Sequence, residues 1–200
     1  MRPWNGRRMV PLWRNWGKLM VLANGTILRN RYEIIKYLGG GGFGETYLAY
    51  DLNIPTNPKL KCVVKRLLPQ NIQPVVLRLF EKEAATLYKL NHPQIPKFTE
   101  WFQETVARGG ILGFFASQQS EYYLIQEYVH GYDLSWEIIP NQQLPENDII
   151  HLLRDLLNVL AYVHQQQIIH RDIKPQNIMR RQSDGKLVLI DFGIVKEMGS

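Results

Sequence analysis

The chain has 200 residues, of which 45% are hydrophobic and 21% charged, the composition of an ordinary globular protein of one or two domains. Its only cysteine, Cys62, excludes an internal disulfide framework and favours a cytoplasmic protein, and no run of about 18 uncharged apolar residues predicts a membrane span. The net charge of +6 comes from residues 1–31, which hold seven of the 24 basic residues and no Asp or Glu, so the body of the chain is nearly neutral and we expect no nucleic-acid partner.

Residues 1–30 are predicted to form a basic arm outside the folded body. Large apolar residues of the arm recur at helical spacing, as in a short amphipathic helix on a membrane surface: Met9, Leu12, Trp13, Trp16 and Met20. Two prolines and two glycines weaken such a helix. We therefore favour a poorly ordered tail, or a reading frame that truly starts at Met20, over membrane contact by residues 1–20.

Strands dominate the next hundred residues, because short alternating or β-branched segments are separated by glycine- and proline-containing turns. The predicted elements are strands at 32–38, 46–49 and 61–68, a helix from Pro74 to about Leu90, and strands at 98–102 and 122–128. Residues 109–120 are predicted to form a loop, although its middle, ILGFF, is apolar.

A long helix is predicted from Pro145 onward, helped by Glu146 and Asp148 in its positively polarised first turn. Its apolar residues form a continuous face that we expect to be core: Ile149, Leu152, Leu153, Leu156, Leu157, Leu160 and Val163. A short strand at 168–169 and paired short strands ending at Asp191 follow. Strands first and a long helix afterwards predict two unequal lobes.

Three sequence motifs carry chemistry. Gly39, Gly41 and Gly44 form G-x-G-x-x-G between two predicted strands, whereas a dinucleotide-binding loop would lie between a strand and a helix. Alone this motif is weak, since a glycine-rich hairpin has the same pattern. The strings HRDIKPQN at 170–177 and DFG at 191–193 follow in the order and spacing of a kinase catalytic loop and metal-binding segment.

With these motifs, residues 31–200 resemble the eukaryotic-like (Hanks-type) serine/threonine protein kinases. The phrases GGFGETYLAYD, CVVKRL and IHRDIKPQN are most similar to bacterial, particularly cyanobacterial, members. The resemblance implies an α+β, two-lobe fold with an antiparallel-sheet N-lobe and hinge over 31–129. It also implies an incomplete, mainly helical C-lobe over 130–200 that ends just after DFG.

The resemblance also assigns catalytic roles. Lys65 is expected to bind the α- and β-phosphates of ATP, and Glu83 to pair with Lys65. Glu81 is the competitor, but Glu83 lies nine residues before His92 in the NHP turn, as in the family. Asp172 is expected to orient and deprotonate the substrate hydroxyl, and Lys174 to neutralise the γ-phosphate, as in Ser/Thr kinases.

The expected cofactors are ATP and Mg²⁺. Asn177 and Asp191 are the implied metal ligands, since Mg²⁺ prefers hard oxygen donors. The residues expected to bind the nucleotide are Gly39, Gly40, Gly41, Gly42, Phe43, Gly44, Thr46, Val63, Lys65, Glu127, Val129, Asp133 and Met179. The chain departs from the family at Thr46, Val63 and the polar gatekeeper Gln126, which alter the adenine pocket.

The function implied is phosphoryl transfer from MgATP to a Ser or Thr hydroxyl of a protein substrate. The alternative is an ATP-binding but catalytically idle kinase module or fragment that acts by interaction. The segments of the family that follow DFG are not in these 200 residues, so we expect near-background transfer to added substrates. We also expect an uncovered apolar face at Leu152, Leu156 and Leu160.

Overall fold

The computed structural model describes residues 21–40, 44–68, 72–108, 117–138, 143–193 and 196–197. Its first part contains strands β1 (Ile27–Leu28), β2 (Tyr32–Gly40), β3 (Gly44–Asp51) and β4 (Lys61–Leu67), helix α1 (Pro74–Lys89), and strands β5 (Phe98–Arg108) and β6 (Ser117–Glu127). The second part contains β7 (Gly131–Asp133), α2 (Glu146–Gln165), β8 (Ile168–Ile169), β9 (Ile178–Arg181), β10 (Leu187–Leu189) and β11 (Lys196–Glu197), with 3₁₀ turns at Leu134–Trp136 and Pro175–Asn177. The expected boundary between two lobes at 129/130 stays a prediction.

A six-stranded antiparallel sheet forms the first part, in the order β1-β2-β3-β4-β6-β5. Because successive side chains of a strand point to opposite faces, each central strand contributes to two environments. One face is an apolar cluster that contains Tyr47, Val64 and Tyr123. The other face turns Leu124 towards α1.

Helix α1 begins at Pro74, whose fixed φ suits the first helical position. Its inward face buries Ala84 and Leu87 against Leu124 of β6, in a core that continues into the second part of the molecule. Burying a leucine fully stabilises the fold by about 1.5–3 kcal/mol, so this contact fixes α1 against the sheet. The position of α1 matters because it carries Glu83.

Helix α2 buries only part of the apolar face that its sequence predicts. Leu156, Val159 and Val163 are buried, while Leu153 and Leu157 are 48% and 60% exposed. Seven apolar residues make a stripe wider than the single surface that β8 and β10 offer this helix. The prediction that the whole face is core is therefore wrong.

The uncovered apolar surface of α2 also differs from the expected one. Leu156 is buried, and Leu152 and Leu160 pack against the same core. The exposed side chains are instead on the neighbouring stripe, at Leu153 and Leu157. The helix is rotated so that the first set, and not the second, faces β10 and β8.

Strands β5 and β6 are longer than predicted. They pair from Phe98↔Gln126 to Arg108↔Ser117, so residues 117–120 are strand and not loop. Backbone hydrogen bonds extend the hairpin through polar residues whose side chains give no apolar alternation. Residues 109–116, with the ILGFF run, lie outside the described residues, as do residues 1–20, where the arm was predicted.

The smaller strands shape the second part. β9 pairs with β7 and β10, and β11 pairs with β8. These short pairings hold the segments that contain the HRDIKPQN and DFG strings. Among the described helices, none has the length and apolar character required to cross a bilayer.

Candidate active site

The glycine-rich segment joins the ends of β2 and β3. Gly39 pairs with Thr46, and Gly40 pairs with Glu45, so the two strands are paired as far as these glycines. Gly41, Gly42 and Phe43 lie outside the described residues. A Cβ at Gly44 would come within 2.6 Å of the Arg66 carbonyl oxygen on β4, so only glycine fits there without a shift.

Lys65 lies at the centre of the candidate site. Its Nζ donates to Glu83 Oε1 and, at 3.1 Å, to Asp191 Oδ1. Lys65 belongs to β4 and Glu83 to α1, while Asp191 follows β10, so three separate elements meet at one ammonium group. Glu81 makes no hydrogen bond or ion pair within the described part of the chain, and the carboxylate against Lys65 is that of Glu83.

The electrostatics of this cluster keep Lys65 charged. Burial lowers the pKa of Lys65, but the carboxylates of Glu83 and Asp191 outweigh burial and raise the pKa above its usual value. Burial would raise the pKa of Asp191, but the nearby Lys65 charge dominates and holds the pKa below its usual value. The cluster therefore presents a fixed positive charge beside the ionised carboxylate of Asp191 at neutral pH.

A second group of side chains surrounds Asp172. Lys174 Nζ donates to Asp172 Oδ2 at 2.6 Å. The Asn177 Nδ2 group donates to the same oxygen at 2.8 Å and to the Asp172 backbone carbonyl at 2.9 Å. The 3₁₀ turn at Pro175–Asn177 brings Asn177 back over Asp172, so one carboxylate is oriented by a cation and an amide.

His170 connects the two groups. Its Nε2 lies 3.1 Å from the carbonyl oxygen of Ile190, and its Nδ1 accepts from the Asp172 backbone N–H at 3.3 Å. A carbonyl can only accept and an N–H can only donate, so the ring is neutral with the proton on Nε2. Burial lowers the pKa of His170, which is 1% exposed. His170 is a packed structural residue whose ring makes an edge-to-face contact with Phe192.

Asn177 and Asp191 have the oxygen donors that Mg²⁺ prefers. Because both side-chain hydrogen bonds of Asn177 are donated through Nδ2, its Oδ1 has no hydrogen bond within the described residues. Asp191 is half-buried and adopts a positive φ of 65°, a conformation that L-residues usually avoid. The two residues are tied together through the backbone, since Ile190 N–H donates to the Asn177 carbonyl at 2.9 Å. The donor set therefore fits a magnesium ion that keeps water and phosphate ligands.

The residues expected around adenine and ribose lie along the strands beside Lys65. Thr46 pairs with Lys65, and Val63 pairs with the buried gatekeeper Gln126. Beyond β6, the backbone N–H and C=O of Val129 have no hydrogen-bond partner within the described residues, so both groups could pair with a base.

The remaining predicted contacts, at Glu127, Asp133 and Met179, lie before and after Val129 in the chain. The Glu127 N–H is already used by the Lys97 carbonyl at 2.8 Å. Asp133 pairs with Met179 in the β7–β9 ladder, so the structure brings these two predicted contacts together. The Asp133 carboxylate accepts from the Ser135 backbone N–H at 3.0 Å.

Sequence reasoning missed one partner in the site. It assigned Asp191 to the metal alone, whereas Asp191 also contacts Lys65 across 126 residues of sequence. No local pattern signals a contact at that separation. It follows from tertiary packing that brings the segment after β10 next to β4.

Comparison with known proteins identifies the family. The sequence model of the family described as "protein kinase domain" matches residues 32–200. The chain belongs to the protein kinase family. This match also confirms the α+β kinase fold expected from the sequence, with an antiparallel sheet that packs with helix α1.

Curated kinases from several bacteria are similar to this chain. It is 43% identical over 179 residues to serine/threonine-protein kinase B of Synechocystis, covering 87% of this chain and 28% of that kinase. It is 43% identical over 177 residues to the serine/threonine-protein kinase PknA of Nostoc, covering 86% and 28%. The match to the serine/threonine-protein kinase PrkC of Bacillus subtilis is 30% over 176 residues, covering 88% and 24%.

These similarities confirm the expected resemblance to cyanobacterial serine/threonine kinases, which are transferases. The chain spans 24–28% of the length of these three relatives.

Proposed function

We propose that this chain binds MgATP and takes part in transfer of the γ-phosphoryl group to a Ser or Thr hydroxyl of a protein substrate. The observation that carries the proposal is the Lys65 ammonium held between Glu83 and Asp191. Phosphoryl transfer needs positive charge fixed near the phosphates, and a lysine held by two carboxylates supplies it without reorganisation.

The residues around Asp172 supply the other half of the chemistry. Asp172 orients the attacking hydroxyl and accepts its proton. Lys174, which donates to Asp172 Oδ2, would contact the γ-phosphate. Lysine at this position supports a Ser/Thr rather than a Tyr acceptor, by resemblance to the family. The identity of the protein substrate is outside this proposal.

Asn177 and Asp191 would hold Mg²⁺ together with the phosphates. When bound, the ion supplies charge neutralisation at the phosphate oxygens. The backbone of Val129 would bind the adenine edge, and Asp133, which pairs with Met179, would bind the ribose.

Nucleotide titration tests the binding half of the proposal. We expect ATP to bind more tightly with Mg²⁺ than in EDTA, because part of the affinity passes through Asn177 and Asp191. Asn177→Ala should reduce the difference between the two conditions, because Asp191 is then the only one of the two ligands left. The control is Asp184→Asn, in an exposed turn whose carboxylate pairs with Arg181, and it should leave the difference unchanged. Equal affinity with and without Mg²⁺ would remove the two residues from the nucleotide site.

Radiolabelled phosphate transfer tests the chemical half. Transfer from ATP to a basic protein that disappears in Asp172→Asn would establish the chain as an active kinase. Binding of MgATP without transfer would instead establish the chain as a nucleotide-binding module.

A further inference from the structure

A buried cluster of polar side chains lies on the face of the sheet opposite to Lys65. Arg66 has no exposed side-chain surface. Its Nε and Nη2 donate to the Glu121 carboxylate at 3.0 and 2.8 Å, and its Nη1 donates to Glu45 at 3.1 Å. Each carboxylate also accepts a tyrosine hydroxyl, from Tyr47 at 2.6 Å and from Tyr123.

Filling a core with charged side chains costs free energy. Removing charges from water is unfavourable, and well-packed apolar residues often serve stability equally well. Cys62 and Val64, on the same face of β4, are apolar. An arginine adds a fixed relative orientation of the paired strands, because its planar guanidinium pairs with a carboxylate in one orientation only.

The cluster links β4, which carries Lys65, to its two neighbouring strands, β3 and β6. Glu45, Arg66 and Tyr123 face one another on β3, β4 and β6. The next step along β4 is Lys65, which pairs with Thr46 on β3. A one-residue slip of a strand would turn every side chain to the other face. Fixing the row of side chains that contains Arg66 therefore also fixes the row that contains Lys65.

Arg66 also touches the end of the glycine-rich segment, since its carbonyl oxygen lies 2.6 Å from where a Cβ on Gly44 would be. β4 is therefore held from both sides at successive residues. Lys65 is held by Glu83 and Asp191 on the cleft side, and Arg66 by Glu45 and Glu121 on the other.

We propose that Arg66, Glu45 and Glu121 are positioning residues, which fix the register of β4 against β3 so that Lys65 meets the phosphates of ATP. This inference rests on the proposed nucleotide binding at Lys65. The side chains of the three residues lie on the face of the sheet opposite to Lys65. Their effect passes through the backbone of β4.

The test compares ATP with adenosine, which lacks the phosphates, in titrations of the full chain. We expect Arg66→Met to lower ATP affinity at least tenfold and adenosine affinity less than twofold. Glu45→Gln, which keeps Arg66 paired with Glu121, should give at least a threefold selective loss and is the test variant if Arg66→Met does not fold.

Asp51→Asn is the matched control. Asp51 is on β3, is 3% exposed, and accepts two hydrogen bonds from Arg31 at 2.8 and 2.7 Å, at the other end of the strand from Glu45. It should lower stability without changing the ratio of ATP to adenosine affinity.

A cycle with Lys65→Ala separates positioning from general destabilisation. If the cluster acts through Lys65, Glu45→Gln has no further effect on ATP affinity in the Lys65→Ala background. An equal loss in both backgrounds, or an unchanged affinity ratio in the single variants, would overturn the inference.

Amide hydrogen exchange without nucleotide gives a readout that does not depend on the proposed function. Exchange at residues 63–67 should be faster in Glu45→Gln than in Asp51→Asn. If wild-type chain binds no ATP, the proposed function fails, and the exchange rates alone decide the inference. Equal exchange in the two variants would then overturn it.

Discussion

Replacing Glu83 by glutamine removes one of the two carboxylates that hold Lys65. Glu83 is 5% exposed, and breaking a buried ion pair by removing one partner costs about 3–5 kcal/mol. Asp191 still lies 3.1 Å from Lys65, so we take the lower end, about 3 kcal/mol. For a chain of this size each kcal/mol lowers Tm by about 2–4 °C, so Glu83→Gln should lower Tm by about 6–12 °C.

Thermal unfolding by calorimetry checks this magnitude, with Glu81→Gln as the matched control two residues away on α1. Because Glu81 makes no hydrogen bond or ion pair within the described part of the chain, Glu81→Gln should change the free energy of unfolding by less than about 0.5 kcal/mol. ATP affinity should fall in Glu83→Gln, and fall further in Lys65→Ala. Equal Tm shifts for the two glutamine variants would refute the ion-pair reasoning and the assignment of Glu83.

Three more outcomes are expected. Because burial lowers the pKa of His170, the unfolded chain binds a proton that the folded chain excludes as pH falls below about 6.5. The free energy of unfolding, from urea titrations, should therefore decrease from about pH 7 to pH 5, and less steeply in His170→Gln. Gly44→Ala should cost about 1–3 kcal/mol of stability because the new Cβ meets the Arg66 carbonyl, whereas Gly39→Ala, with open space around it, should unfold near the wild-type temperature. Deleting residues 1–19 should leave nucleotide affinity unchanged in the same titrations, and loss of binding to anionic vesicles on deletion would instead show that the arm contacts membranes.

The chemical identity of the candidate site was readable from sequence because its residues occur in short strings of fixed spacing. HRDIKPQN contains Asp172, Lys174 and Asn177 within eight positions. The 3₁₀ turn at Pro175–Asn177 brings their side chains together. The strands around Lys65 were predictable for a similar reason. Their β-branched and apolar residues follow a local period that the sheet simply adopts.

Pairwise geometry over long separations was decided by the tertiary structure. Lys65 meets Asp191 only because tertiary packing brings the segment after β10 next to β4, and no local pattern near either residue encodes that contact. Helix α2 shows the same limit. Its apolar stripe predicts burial, but the width of the surface supplied by β8 and β10 decides that Leu156 is buried and Leu157 is not.

Arg66 shows the difference between the two sources of information most clearly. In the sequence it is a charged residue beside Lys65, and a charged residue in a strand normally points to solvent. In the structure it has no exposed side-chain surface, because Glu45 and Glu121 arrive from two neighbouring strands to pair with it. Periodicity and motif chemistry are local and were fixed by the sequence order. The environment of each charge depends on which distant strands pack around it, and only the folded chain sets that.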